Sequence, residues 1–266
     1  MGACPATSHA HSAQPLHDCP RKALHLAATV PIVVSAAGAS LVVRREPNGR
    51  RHFPLARIER VICNHHAQWT GEALMLCLTY DISVTWVDGR GRAVGDATAV
   101  RAVPTGFAER IETYLERPQW PACYANWLRR RRLAVLQRWA AQCRAAGHAP
   151  DRGSFEDLKR AYVYRAELAP FDEDSAGWCH ALALAQLARE GLRQRYWGHG
   201  GQALELCADL ADLLWAEFAL ACGALSAAAQ APAVKLLFFE RWADTARHSL
   251  LDHLGDLQRH VAREIH

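Results

Sequence analysis

One histidine and two aspartates stand close together in the second half of the chain. His199 lies in the glycine-rich run Tyr-Trp-Gly-His-Gly-Gly (196–201), and Asp209 and Asp212 follow in an Ala/Leu-rich segment. Residues three apart on an α-helix lie on one face, one turn from each other. The surrounding leucines indicate a buried helix, and no basic residue stands three or four positions from either aspartate. Because a buried carboxylate needs a partner, the pattern indicates a divalent-cation site whose imidazole and carboxylates suit Mn²⁺ or Mg²⁺.

The same three residues also have a plainer interpretation. Asp209 can lie near a helix start, where the helix dipole favours an anion, and Asp212 can be solvated. His199 can be an ordinary loop histidine. The spacing alone does not separate this interpretation from a metal site, so the rest of the chain has to decide.

Helices are the elements that would position these residues. Apolar spacing and helix-ending signals after Pro104 predict a series of helices, and the segment that starts at Ser154 carries a capping box with Asp157. The helices are expected over 105–116, 122–146, 154–168 and 175–195, from the His199 turn to about 225, and from 232 toward 260.

The first half of the chain has a different pattern, with short β-branched runs and turn residues. Strands are expected over 31–34, 40–43, 53–58, 60–63 and 81–88, with a hairpin turn at 47–49 and one helix over 71–79. The sequence therefore predicts an α+β fold in which a small, mostly β domain precedes a larger all-α domain. The expected boundaries are a disordered polar tail over 1–23, a β domain over 24–103 and a helical domain over 104–266.

Composition limits the class of protein. The 266 residues carry a net charge of +4, and most of the basic residues are arginines, which permits a nucleic-acid partner. The nine cysteines are isolated from one another, which argues against a disulfide framework or a zinc ribbon. There is neither an apolar run of membrane-spanning length nor a secretory signal at the start. A cytoplasmic location without a membrane partner is expected.

The run GASLVVRREPNGRRHFPLARIERVICNHHAQWTGEALMLCLTYDISVTWVDGRGRAVG (38–95) carries a family resemblance. Its hairpin leads into Phe53-Pro54-Leu55, and its last strand ends in Asp88-Gly89-Arg90-Gly91. It resembles the N-terminal β domain of the CRISPR-associated integrases of spacer acquisition, the Cas-one family. The later run ADLADLLW (208–215) resembles the corresponding helix of that family.

The resemblance implies a function and a set of site residues. Glu156, His199 and Asp212 would be the catalytic metal ligands, with Asp209 as an accessory ligand and Mg²⁺ or Mn²⁺ as the cofactor. The activity would be that of a metal-dependent DNA integrase and endonuclease, which inserts short DNA into a CRISPR repeat array by phosphodiester transesterification. The implied partners are double-stranded DNA, a second copy bound through the β domain, and the small ferredoxin-like second protein of spacer acquisition.

Several features depart from the family pattern. The glycine before Glu156 is one place too far away, the interval from Glu156 to His199 is short, and Leu214-Trp215 replaces a basic residue. Glu156 can instead be an ordinary acidic residue in the first turn of its helix. Two other functions therefore stay open: a catalytically degenerate member that acts as a DNA-binding scaffold, and a stand-alone nuclease for branched DNA.

A run of four arginines, Arg129-Arg130-Arg131-Arg132, lies within one predicted helix. Four consecutive residues surround a helix, so at least one guanidinium must face neighbouring protein. The run can be a solvated face with intramolecular ion pairs. By the resemblance, the four arginines and Tyr164, the equivalent of a family tyrosine, would bind nucleic acid through phosphate contacts.

Overall fold

A computed structural model describes residues 21–47, 49–100, 105–165, 171, 174–223 and 232–266. The strands are β1 (Lys22–Leu26), β2 (Ile32–Ala37), β3 (Ser40–Arg45), β4 (Gly49–Pro54), β5 (Ile58–Cys63), β6 (Ala67–Trp69), β7 (Ser83–Val87), β8 (Ala93–Ala97), β9 (Tyr196–Trp197) and β10 (Ala203–Leu204). The helices are α1 (Gly71–Thr79), α2 (Gly106–Leu115), α3 (Trp120–Ala145), α4 (Arg152–Leu158), α5 (Gly177–Arg189), α6 (Leu206–Cys222) and α7 (Pro232–Ile265).

Two four-stranded sheets form the first half of the described chain. One has the order β1-β5-β7-β8, with β1, β5 and β7 parallel and β8 antiparallel. The other has the order β4-β3-β2-β6, in which β2 and β6 are parallel. Their apolar faces and α1 share one core that includes Val34, Leu41, Leu55, Val61 and Cys77.

The strand expected over 53–58 is divided into three parts. β4 ends at Pro54, residues 55–57 form a 3₁₀ turn, and β5 begins at Ile58. Proline has no backbone N–H to donate to a neighbouring strand. Leu55 is fully buried, and its backbone nitrogen donates to the carbonyl of Ala39 at 3.0 Å. Burial of that leucine turns the chain out of the sheet.

The second half is helical, which confirms the predicted α+β fold. Helices α2 to α7 pack around a second core that includes Trp127, Leu210, Phe218 and Phe239. No helix of the described chain is long and apolar enough to cross a membrane. Residues 1–20 of the expected tail and the expected boundary at 103–104 lie outside the described residues, and β1 begins at Lys22, just before the expected start of the β domain.

The helix that carries Glu156 begins earlier than the capping box at Ser154 predicts. The N-cap is Asp151, whose Oδ1 accepts a hydrogen bond from the backbone nitrogen of Ser154 at 3.0 Å. An aspartate three residues before a free backbone N–H competes directly with serine for the cap position. After α4 the chain continues as a π-helical turn over Lys159–Val163. Residues 166–168 of the expected helix lie outside the described residues.

A buried ion cluster joins the two halves. Glu59 of β5 accepts hydrogen bonds from its neighbour Arg60, from Arg189 of α5 and from Arg247 of α7. Arg60 also lies 3.4 Å from Glu240 of α7. Glu59 and Arg60 are 4% and 0% exposed, so these charges are satisfied by each other rather than by water. The cluster fixes β5 against the two helices.

Candidate functional site

Helix α6 places both aspartates on the side that faces α3. The leucines around them are buried, as the sequence predicts: Leu206, Leu210, Leu213 and Leu214. The hydroxyl of Tyr124 donates to Oδ2 of Asp209 at 3.0 Å. The guanidinium of Arg132 donates to Oδ2 of Asp212 through Nε at 3.1 Å and Nη2 at 2.9 Å. Both carboxylates therefore have partners supplied by α3.

Asp212 has a second cationic partner from the segment after α4. Nη2 of Arg165 lies 3.2 Å from its Oδ2. The Arg132 side chain is 7% exposed and the Arg165 side chain is 61% exposed, so one guanidinium is buried and the other is open to solvent. Tyr162 completes the group, because its ring lies 5.7 Å from the Arg132 guanidinium and its hydroxyl donates to the Asp212 carbonyl at 3.5 Å.

Burial controls the ionisation of Asp209 and Tyr124. Burial raises the pKa of Asp209, although the hydrogen bond from Tyr124 and the positive charge of Arg132 act in the opposite direction. Burial and the nearby carboxylate of Asp209 hold the pKa of Tyr124 well above its usual range. Tyr124 therefore keeps its proton and remains the donor in this pair.

The His199 turn packs against the start of α3. A side chain at Gly198 would come within 2.6 Å of the Trp120 indole nitrogen, so the turn needs a glycine there. Trp120 and Tyr124 are one turn apart on α3, with ring centroids 6.5 Å apart. His199 lines a cavity of about 360 Å³. The His199 turn and Asp209 therefore contact successive turns of the same helix.

Glu156 is engaged elsewhere. Its carboxylate lies 3.1 Å from Nζ of Lys159 on the next turn, and its side chain is 49% exposed. In the parts of the chain that the structure describes, no three His, Cys, Asp or Glu side chains are grouped as a metal site requires. The donors do not fit the implied cation as arranged, because Asp212 is neutralised by two guanidiniums and Glu156 by a lysine.

The four arginines of α3 have different surroundings. Arg129 and Arg130 are exposed, whereas Nε of Arg131 donates to Nδ1 of His253 at 2.9 Å. Arg132 is 5% exposed and bound to Asp212. This confirms that the run must turn at least one guanidinium toward protein, and it leaves Arg129 and Arg130 as the solvent-facing pair.

The tyrosine at the Asp212 site is Tyr162, a residue that sequence reasoning missed. Tyr164, expected in a nucleic-acid-binding role, is exposed. The two tyrosines are two positions apart, so a helical turn directs them to different sides. In the sequence, the only local indication that Tyr162 is buried is its apolar neighbour Val163, which is also buried.

Comparisons with known proteins agree with this fold. Residues 28–116 match the family model described as CRISPR associated protein Cas1. A search of curated proteins found no match. A CAS1 protein from Thermotoga maritima shares the fold at a TM-score of 0.65 and 11% identity, over 90% of this chain and 97% of that one.

Two further solved structures have the same architecture. TtCas1 in a complex with DNA aligns at a TM-score of 0.55 and 18% identity, over 92% of this chain and 90% of that one. A casposase bound to an integration product aligns at 0.52 and 14% identity, over 78% and 75% of the two chains. Residues 28–116 are therefore similar to the Cas1 family of CRISPR associated proteins, and the two-part fold is shared with these solved structures.

Proposed function

We propose that this protein acts on DNA during the acquisition of CRISPR spacers, as an integrase or nuclease. The similarity of residues 28–116 to the Cas1 family model supports this type of function. One solved neighbour of the fold is a Cas1–DNA complex and another is a casposase with an integration product. The observation on this chain that carries the proposal is the position of the His199 turn and of Asp209 on successive turns of α3, with Asp212 one turn further along α6.

In the proposed reaction a DNA 3′-hydroxyl attacks the phosphorus of a phosphodiester. A new P–O bond forms to the attacking oxygen, and the P–O bond to the oxygen of the displaced DNA strand breaks. Arg165 is exposed enough to bind a non-bridging phosphate oxygen and is already oriented by Asp212. Arg129 and Arg130 face solvent on α3 and are suited to hold the backbone on either side. Tyr124 and Arg132 hold the two carboxylates in place, so their role is positioning.

A second candidate has its own support. Asp212 lies between Arg132 and Arg165, so its charge is neutralised, whereas the exposed Arg165 guanidinium can still contact a phosphate. We therefore keep a catalytically degenerate, DNA-binding scaffold as the alternative. A stand-alone nuclease for branched DNA is the third function that the fold permits.

A joining assay separates these functions. Purified protein is incubated with short duplexes and a supercoiled plasmid carrying a repeat, with Mg²⁺ or Mn²⁺. Half-site joined products that are lost in His199→Ala and Asp212→Asn support the integrase. DNA binding without joining, equal in wild type and both variants, supports the scaffold. Cleavage of branched duplexes without joining supports the third function.

Glu156 can be tested against a matched neighbour. Asp157 lies on the same helix, is exposed, and pairs with Arg160 three residues on, just as Glu156 pairs with Lys159. If Glu156 takes part in the reaction, Glu156→Gln should lower joining at least about 100-fold, the size typical of a lost catalytic group, and Asp157→Asn should not. Equal joining by the two variants would remove Glu156 from the site.

The proposed function also implies two protein partners. By the family resemblance, the protein forms a homodimer through its β half and binds the small ferredoxin-like second protein of spacer acquisition. Light scattering of the purified protein, alone and with that second protein, measures both. A monomer that gains no mass on mixing would contradict this assembly.

A further inference from the structure

The hairpin of β3 and β4 carries four arginines that the proposed site does not use. Arg44 and Arg45 end β3, and Arg50 and Arg51 begin β4. In the antiparallel register Arg44 is directly opposite Arg50, and Arg51 is opposite Val43. Opposite residues share a face of a sheet, so Arg44 and Arg50 lie side by side on one face and Arg51 lies on the other. We call these four residues the basic hairpin.

The basic hairpin is exposed and its charge is not neutralised. All four arginines are exposed, and none forms an ion pair with a carboxylate anywhere in the described ranges. The only acidic residue of the hairpin is Glu46. Two exposed arginines of the helical half do pair with carboxylates: Arg160 lies 3.5 Å from Asp157, and Arg259 lies 3.2 Å from Asp256.

Folding alone does not account for this arrangement. Like charges directly opposite each other destabilise a β-ribbon, so the Arg44–Arg50 pair weakens the hairpin that it belongs to. Charge on an edge strand does discourage pairing with other chains, and β4 is the edge strand of its sheet. Arg44 and Arg45, however, belong to β3, an inner strand, where that protection is not needed. A bound polyanion would remove the repulsion.

We propose that the basic hairpin is a second binding surface for the phosphate backbone of duplex DNA. It lies in the half of the molecule that does not carry the α3–α6 site, by which we mean Tyr124 and Arg132 of α3 with Asp209 and Asp212 of α6. This inference rests on the proposed function, because DNA is the polyanion on which that function acts. Guanidiniums bind phosphate oxygens in a bidentate fashion, and such contacts position a duplex without reading its sequence. Arginines on both faces of an edge ribbon offer contacts along a length of backbone rather than a single anion pocket.

The salt dependence of DNA binding tests the proposal. Each neutralised phosphate of a duplex adds about 0.9 to the slope of log affinity against log salt. The double variant Arg44→Gln/Arg50→Gln should therefore show a slope shallower by about 1.8 than wild type, measured by fluorescence anisotropy on a short labelled duplex. The matched control is Arg160→Gln/Arg259→Gln, which removes two exposed but already paired charges and should leave the slope unchanged.

The outcomes separate this proposal from the proposed function. If wild type binds and joins DNA while the hairpin variant keeps the wild-type slope, this inference is wrong and the proposed function stands. If wild type does not bind DNA, the proposed function fails as well. An effect on a matched RNA duplex that is absent on DNA would overturn the assignment to DNA. A thermal melt checks folding, and Arg45→Gln/Arg51→Gln is a second variant should the first melt early.

Discussion

Glu59 provides a quantitative test of how the two halves are joined. Burial would by itself raise the pKa of this carboxyl, but the hydrogen bond from Arg247 and the charge of Arg60 outweigh it and lower the pKa from 4.5 to about 2. At about 1.4 kcal/mol per pH unit, that difference contributes about 3 kcal/mol to the free energy of unfolding. A carboxyl whose pKa is lower in the folded state stabilises the fold above its unfolded pKa. The contribution is therefore complete above about pH 5 and is lost as the pH falls toward 2.

The perturbation is Glu59→Gln, which keeps the size of the side chain and removes its charge. Arg60 is fully buried and would keep only Glu240 as a carboxylate partner. We expect the free energy of unfolding at pH 7 to fall by about 3 kcal/mol, within the range found when one partner of a buried ion pair is removed. For a protein of this size the melting temperature should fall by roughly 6 to 12 °C.

The measurement is urea unfolding of wild type and variant at a series of pH values. The difference between them should be largest near neutral pH and should shrink below about pH 4.5. Asp244→Asn is the matched control, because Asp244 also pairs with Arg247 but is 84% exposed. Its loss should cost less than about 1 kcal/mol. A Glu59→Gln effect that is equally small, or that does not change with pH, would refute the reasoning.

Two further predictions concern the α3–α6 site. Arg132→Ala should lower the free energy of unfolding by about 1 to 3 kcal/mol, since it removes a buried partner of a partly exposed carboxylate, whereas Arg165→Ala should cost less than about 1 kcal/mol because that guanidinium is in solvent. Equal losses in chemical denaturation would contradict this ranking. Gly198→Ala should cost about 1 to 3 kcal/mol and reduce joining, because the new methyl group meets the Trp120 indole and displaces the His199 turn. Thermal melts measure the loss of stability, and joining assays measure the loss of activity. Gly200→Ala cannot serve as a control, because Gly200 has a positive φ of 72° and an alanine there would itself be strained.

Much of the fold and part of the site could be predicted from the sequence. The β-branched runs gave β2, β3 and β7, and the spacing of leucines around Asp209 and Asp212 gave a buried helix with two carboxylates on one side. These features depend on the period of a helix or a strand, which a short stretch of chain contains in full. The inward-facing arginine of the run could be predicted for the same reason, because four consecutive residues surround a helix whatever the helix packs against.

The partners of the carboxylates were decided by the tertiary structure alone. The sequence offers no local cation for Asp212, and the expectation of a metal ion followed from that absence. The fold supplies Arg132 from a helix 80 residues earlier and Arg165 from the segment after α4. In the same way, Glu59 finds Arg189 and Arg247 across the boundary between the two halves. Charged residues pair only when they are close in space, and residues far apart in the chain come that close only when the helices pack.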